Sequence, residues 1–588
     1  MKRTYAKRHD EVGPTAKPGA SRAKDKPKEK EKEKEGYRET VEAIVVAFIL
    51  ALLVRGFEAE AFVIPTGSMA PTLMGRHKEI TCPQCGYVYS VNASVEDAGS
   101  RNPQPTQVVA GTCVNCRFTA AVSDAPTFNG DRILVMKFLY DLPFLPGAKG
   151  GPRRWDVVVF RYPEEPEVSY IKRLVGLPGE TIRIWSGDIY VKSPGGQEFH
   201  LERKPLRHQA AMEMMVYDDR HRAESLKDRP EWRRWSASTP GSWTEEPSGT
   251  YSVAAAPGTE AELRYRHLLP DPEQWDAIVN GRALPWAPRP TLITDFYSYN
   301  SNITGNLHLD RDGWWMQPHW VGDLSLSATL RIKEARGVVR FELIEGGVAN
   351  RCEIDLASGV ATLKHGSGAL GRSSSGISGP GSHAIHFANI DDRLTLLVDG
   401  RAVFGDGLPY GDGRAPRPLP TRADLAPAAV TAIGAEIAVS DLVLKRDIYY
   451  TNTPGNSDYG NLWTGHDPRS PVELFDHLAD PAKLAFLINL PWKDYSIAPD
   501  RYMMLGDNSP MSKDSRGWGI ADRASGDDPD YGWDPSGRKS WEVPRALLTG
   551  KAFFVYWPHG KPFGPDIRLG RDLRIPFRPY IERMKWIR

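Results

Sequence analysis

Cysteine is scarce in this chain: five in 588 residues, too few for a disulfide scaffold. Charge of one sign is also missing. The formal net charge is +1 at pH 7, so no global field favours nucleic acid as a partner. Long hydrophobic runs are absent too. The one uninterrupted apolar stretch, Ala43 to Val54, is shorter than the roughly 20 residues of an ordinary membrane span, and no second one follows it. What the chain has in quantity is proline (48), glycine (54) and tryptophan (17), which predicts short strands and many turns rather than helices. Its length exceeds what one core can serve and predicts roughly two to four domains.

Residues 1–40 hold 13 Lys/Arg against 8 Asp/Glu, with almost no large apolar side chains and the run KDKPKEKEKEKE. Such a segment cannot bury enough surface to fold and reads as a disordered, charged cytoplasmic tail. Residues 41–57, VEAIVVAFILALLVRGF, follow it, with Glu42 and Arg55 set to lie at two interfaces. A cleaved secretory signal is disfavoured, because many charges precede the run and no convincing Ala-x-Ala site follows. A buried helix of a soluble domain is the alternative to a single membrane span. The basic excess on the amino-terminal side predicts that this end stays in the cytoplasm and the bulk lies outside.

Directly after comes Phe62 to Leu73, FVIPTGSMAPTL, where Ser68 sits between Gly67 and Met69 and prolines hold the backbone extended. A serine hydroxyl needs a neighbouring base before it becomes a nucleophile. Tyr170 to Gly179, YIKRLVGLPG, offers Lys172 on an apolar strand. A lysine ordinarily titrates at about 10.4, so as a base it must be kept neutral by desolvation. The neighbours Ile171, Leu174, Val175 and Leu177 can supply that. A third stretch, Gly506 to Gly519, reads GDNSPMSKDSRGWG.

These three stretches, in this order, resemble the boxes of the type I signal peptidases, membrane-bound Ser/Lys endopeptidases. GDRILVMKF (Gly130 to Phe138), WDVVVFRYP (Trp155 to Pro163) and GKAFFVYW (Gly550 to Trp557) fit weaker boxes of the same family. The resemblance implies a signal-peptidase-type β catalytic domain with one N-terminal transmembrane helix, in the inner cell membrane, facing the periplasmic side. It makes Ser68 the nucleophile and Lys172 the general base, with the Thr66 hydroxyl and the Ser68 backbone N–H stabilising the oxyanion. It implies that Ser512 hydrogen-bonds the lysine ammonium and that Asp514 pairs with Arg516. Asp507 and Asn508 read as turn and support residues. Substrates would be the signal peptides of exported preproteins at the lipid bilayer, with small side chains at −1 and −3, and catalysis would need no cofactor.

Two insertions interrupt that pattern. Residues 76–129 carry Cys82-Pro-Gln-Cys85 and Cys113-Val-Asn-Cys116, two Cys-x-x-Cys turns at the spacing of a structural zinc ribbon. Two disulfides are the alternative, given the outward topology. Residues 205–445 form a larger insertion. From about 291 it reads as strands, including LSLSATLRI and LTLLV-Asp399-Gly400-RAVF, whose Asp-Gly predicts a two-residue hairpin turn. This part is similar to laminin G-like or concanavalin-like jelly rolls, a β-sandwich that would take a glycan or a protein ligand. Asp391, Asp392, Trp314 and Trp315 read there as turn carboxylates and structural aromatics, and Cys352 as a small core residue. Residues 205–290 show no pattern that places them. The catalytic domain is then divided into residues 58–204 and 446–588, with a helix expected over Val472 to Asn489. The fold class is mainly β. A surface binding protein that uses its jelly roll on a peptidase-like frame is the rival function.

Overall fold

A computed structural model describes residues 39–49, 59–97, 105–140, 151–304, 317–411, 417–453, 458, 459, 462, 468, 470–518, 539–569 and 573–588. The tail before residue 39, the end of the expected membrane segment (50–57), and Trp314 with Trp315 lie outside the described residues. Residues 39–49 are helical and belong to a unit of their own, Met1–Glu58. The helix leaves its apolar side chains exposed, Ile44 at 63% and Phe48 at 65%. Among the described residues no helix is long and apolar enough to cross a membrane.

In the second unit, Ala59–Arg588, the apolar runs bounded by Pro and Gly become strands. One antiparallel sheet runs in the order Ala59–Val63, Arg132–Met136, Leu548–Trp557, Val157–Tyr162, Glu165–Gly176, Arg501–Leu505, Val543–Pro544. Strands from before residue 177 and after residue 500 interleave, so the last part of the chain completes a sheet begun by the first. Its register sets Val158 opposite Lys172 and Leu505 opposite Arg173. Ile64, Met69, Leu73, Ile133, Val157 and Val555 close one apolar core against it. A smaller antiparallel sheet of four strands runs in the order His200–Leu201, Asp188–Lys192, Thr181–Trp185, Lys493–Ser496.

The insertion contributes two further sheets whose inner faces share one core, including Leu326, Leu330, Phe341, Ile354, Phe387 and Leu444. Leu324–Ile332 pairs with both Gly381–Asn389 and Glu436–Arg446, and alternate side chains turn inward as its sequence requires. Val398 pairs with Arg401 across Asp399-Gly400, both at positive φ (51° and 75°), the geometry of a type I′ turn. Cys352 is buried in this core, and burial pushes its thiol well up. Met214–Asp218, Trp235–Ala237, Tyr251–Ala254 and Glu260–Tyr265 also join these sheets, although their stretch carries no clear sequence pattern. They are short; Trp235–Ala237 pairs with Glu260–Tyr265, and the other three have partners far away in sequence, on Ala428–Ile433 and Glu436–Arg446.

The expected single helix over Val472 to Asn489 is broken in two. An α-helix spans Pro471–Leu478, and a 3₁₀ helix spans Pro481–Asn489. Pro481 has no N–H to continue the first helix, and its ring excludes the preceding turn. Asp480 instead caps the second segment by accepting from Ala482 N at 3.3 Å.

Candidate active site

The serine stretch is not extended throughout as expected: between extended Thr66 and Ala70 the backbone makes a single 3₁₀ turn, Gly67–Met69, with Ser68 buried at 8% exposure. Lys172, 4% exposed, reaches this turn from Glu165–Gly176, and its Nζ lies 2.6 Å from Ser68 Oγ. Nζ also donates to Ile171 O at 3.1 Å. Two residues 104 apart in sequence are thus brought into direct contact. Thr66 precedes the turn in extended conformation and is exposed, so its hydroxyl stands open at the edge of the site.

The Gly506–Gly519 stretch braces the serine turn from the other side. Asn508 N donates to Ser68 O at 3.1 Å, and Asn508 Nδ2 donates to Gly67 O at 3.1 Å. Asp507 pairs through both oxygens with Arg173, at 2.7 Å each, with neither side chain exposed. Burial opposes the charge of Arg173, but Asp507 more than offsets it and the guanidinium titrates above its ordinary value. Arg173 also donates to Trp155 O and to Thr72 Oγ1. Asp514 and Arg516 form a second buried pair, 2.7 Å apart, and Asp514 also accepts from Gly506 N. Arg516 goes on to Thr451 O and Ser509 O. Ser512 is drawn into the same place: a Cβ on Gly506 would stand 2.1 Å from Ser512 Oγ and 2.4 Å from Ser68 O. The expected bond from Ser512 to Lys172 is not made, however. Ser512 Oγ is buried and has no hydrogen-bond partner among the described residues, because the lysine amine is turned to Ser68 and Ile171.

Several residues of this site give no sign in the sequence. Asn300 and Asn508 exchange amide hydrogen bonds at 2.7 and 2.8 Å, so a residue of the large insertion supports the turn that carries Ser68. Tyr299 packs on Gly67 so closely that a Cβ there would fall 2.0 Å from its ring. Tyr299 also donates to Arg76 O. Arg173 could have been found, since it adjoins Lys172 on a strand and must point to the opposite face.

The four-cysteine segment forms two matching turns. Cys82 N donates to Tyr87 O and Cys113 N to Phe118 O, with Gly86 and Arg117 at positive φ in equivalent places. Insertion strand Ile303–Thr304 adds to the ribbon strand Val108–Thr112. All four thiols are buried, with Sγ atoms within 4.8 Å of one another. Cys82 and Cys116 lie 3.5 Å apart, and Cys85 and Cys113 3.7 Å apart. A disulfide needs about 2.05 Å. Four sulfurs at about 2.3 Å around a tetrahedral cation stand about 3.8 Å from each other. The donor set and its spacing fit a closed four-sulfur metal site.

Comparison with known proteins places similarity on part of this body. A family model described as signal peptidase, peptidase S26, matches residues 107–238, a range that contains Lys172. A signal peptidase I of Pseudomonas fluorescens is 38% identical over 133 residues, covering 21% of this chain and 45% of that protein. One of Pseudomonas aeruginosa is 58% identical over 59 residues, 9% of this chain and 21% of that protein. The chain thus spans less than half the length of either relative. The carbohydrate-binding module CBM66 from Bacillus subtilis aligns over 36% of this chain and 96% of its own, at 8% identity and a TM-score of 0.21, too low to support a shared fold. Over the strand that carries Lys172, the chain is similar to the signal peptidases, which are serine endopeptidases.

Proposed function

We propose that this chain is a type I signal peptidase, a membrane-anchored serine endopeptidase that removes signal peptides from exported preproteins. The observation that supports it is the 2.6 Å approach of Lys172 Nζ to Ser68 Oγ at a buried turn. Both side chains are buried, and the contact puts the amine within reach of the hydroxyl proton that a general base must take. Ser68 Oγ attacks the scissile carbonyl carbon while its proton passes to Lys172 Nζ. Charge on the carbonyl oxygen is met by the Ser68 backbone N–H and the Thr66 hydroxyl. Lys172 then gives its proton to the departing amine, which is the new amino terminus of the mature protein. A water that gives a proton to Lys172 attacks the acyl ester, and the lysine passes that proton to the departing Ser68 Oγ, which restores the hydroxyl and the neutral amine. Asp507, Asn508, Asp514 and Arg516 hold the serine turn and the lysine strand in register and transfer no proton.

The exposed apolar helix over 39–49 and the apolar sequence through Val54 support a membrane anchor, amino terminus in the cytoplasm and body outside. Anchoring brings the enzyme to the bilayer surface where a signal peptide emerges, which lowers the cost of encounter. In the ribbon, Cys82, Cys85, Cys113 and Cys116 would hold one structural zinc, with no open position for chemistry.

The test is the full chain in phospholipid vesicles, incubated with a purified preprotein, with the products read by mass spectrometry. One cut after a small residue at the signal-peptide junction is expected. Intact preprotein, or cuts scattered through its mature part, would count against the reading.

A further inference from the structure

Where the four-stranded sheet meets the sandwich, five buried carboxylates converge: Asp188, Asp323, Glu345, Asp391 and Asp447. Asp188 opens the strand Asp188–Lys192, whereas Asp323, Glu345 and Asp391 sit at strand ends of the sandwich. Asp447 follows Glu436–Arg446, where the chain leaves the sandwich. Oxygens of Asp188, Asp323 and Asp391 lie within 4.8 Å of one another, the span of two ligands across a cation held at about 2.4 Å. Two cations reach in. Lys204 Nζ stands 2.6 Å from Asp391 Oδ1 and 2.7 Å from Asp447 Oδ2, and Arg417 pairs with Asp188 and, at 3.4 Å, with Asp392. Negative charge therefore remains in excess in a place closed to solvent, which is strongly unfavourable unless something neutralises it.

A cavity at the same place has an unmet need for a positive ligand. Its volume is ≈ 20 Å³, room for one ion or one water, and Asp188, Asp323, Glu345 and Asp447 line it together with Arg417, which is already engaged by Asp188. Asp323 Oδ2 accepts from Asp391 N at 3.0 Å, which fixes the side chain and leaves Oδ1 without a partner. Asp447 Oδ1 has none either, and these two side chains are 5% and 1% exposed. The unsatisfied atoms here are hard oxygens, those of the carboxylates and of the Tyr449 hydroxyl, which suit calcium rather than a thiophilic metal.

We propose that one Ca²⁺ is held here, ligated by Asp188 of the catalytic body and by Asp323 and Asp391 of the sandwich. The ion clamps the insertion where it joins the catalytic body. The adjoining backbone is already tied there, by Tyr450 N donating to Gly187 O at 2.9 Å. The dyad does not enter this inference, which stands or falls separately from the proposed peptidase activity.

The test uses the full chain in detergent micelles, exchanged into metal-free buffer and titrated with CaCl₂. Calorimetry is expected to give one equivalent bound, with a rise in Tm of several degrees. Tb³⁺ supplies a probe that needs no variant: its emission, sensitised by Trp320 in the cavity wall, should appear on binding and fall on adding CaCl₂. Asp323→Asn should weaken Ca²⁺ binding at least tenfold while melting no lower than the wild type when both are metal-free, since it removes one uncompensated charge. No heat, no Tm change and no Tb³⁺ emission at millimolar concentrations would mean that protons or a water neutralise the cluster, and would overturn the proposal. Unchanged affinity in Asp323→Asn would overturn it too.

Discussion

Ser68 and Lys172 stand out in the sequence through the resemblance of their two stretches, with Gly506 to Gly519, to one family's boxes, and the fold brings the two side chains into contact. A serine among prolines and glycine cannot sit in a regular element, and a lysine among apolar residues must choose between solvent and a partner. Asn300 belongs to no such box. It is one polar residue in a Tyr-Asn-Ser run, and only the fold brings its amide to Asn508 and so to the carbonyl of Gly67. As a positioning residue it should act on geometry more than on binding. Asn300→Ala is expected to lower kcat for preprotein cleavage by roughly tenfold with KM nearly unchanged, and Asn300→Gln to restore little because its amide is one carbon too long. A KM effect with kcat intact would place Asn300 at a substrate contact instead. Ser512 shows the limit of reading roles from a motif: the residue arrives beside Ser68, but its hydroxyl makes no bond to the amine.

Elements were legible where the pattern was local. The strand around Lys172, the Asp399-Gly400 hairpin and the two Cys-x-x-Cys turns depend on residues a few positions apart. The helix over Val472 to Asn489 was overextended because its apolar spacing runs on through Pro481, which the backbone cannot. The ribbon carries two predictions. Purified protein should contain about one zinc equivalent, and Cys113→Ser should lose it together with thermal stability. Four oxidised thiols and no zinc would contradict the four-sulfur site. His77, on the ribbon strand His77–Thr81, gives the second. Burial, then the neighbouring His559, lowers its pKa from 6.5 to about 3, against the opposing effect of its bond to Gly75 O. The unfolded chain takes up a proton here that the native chain refuses, so stability falls as pH drops from 6.5 toward 3. The cost is at most about 1.4 kcal/mol per pH unit. Melting temperatures at pH 7 and pH 4.5 should diverge less in His77→Gln than in the wild type, and equal divergence would remove His77 as the cause.

At the scale of the whole molecule, the sequence placed the catalytic boxes on both sides of a large insertion. It could not show that strands from the two sides interleave in one sheet, since strand order is set by pairing and not by chain order. Nor could it place 205–290, where Met214–Asp218, Tyr251–Ala254 and Glu260–Tyr265 find partners beyond residue 427. The insertion is also more than an appendage. Tyr299 and Asn300 reach the serine turn, and Ile303–Thr304 extends the ribbon. The proposed peptidase activity rests on one contact, between Lys172 Nζ and Ser68 Oγ, whose weight can be measured directly. Initial rates of preprotein cleavage should be compared for wild type, Ser68→Ala, Lys172→Met and the double variant, each checked for an unchanged melting temperature. Residues that act as a unit lose activity together, so each single variant should fall by roughly 10³-fold or more and the double variant by no more than either. Substantial cleavage by Lys172→Met would show that some other base serves Ser68.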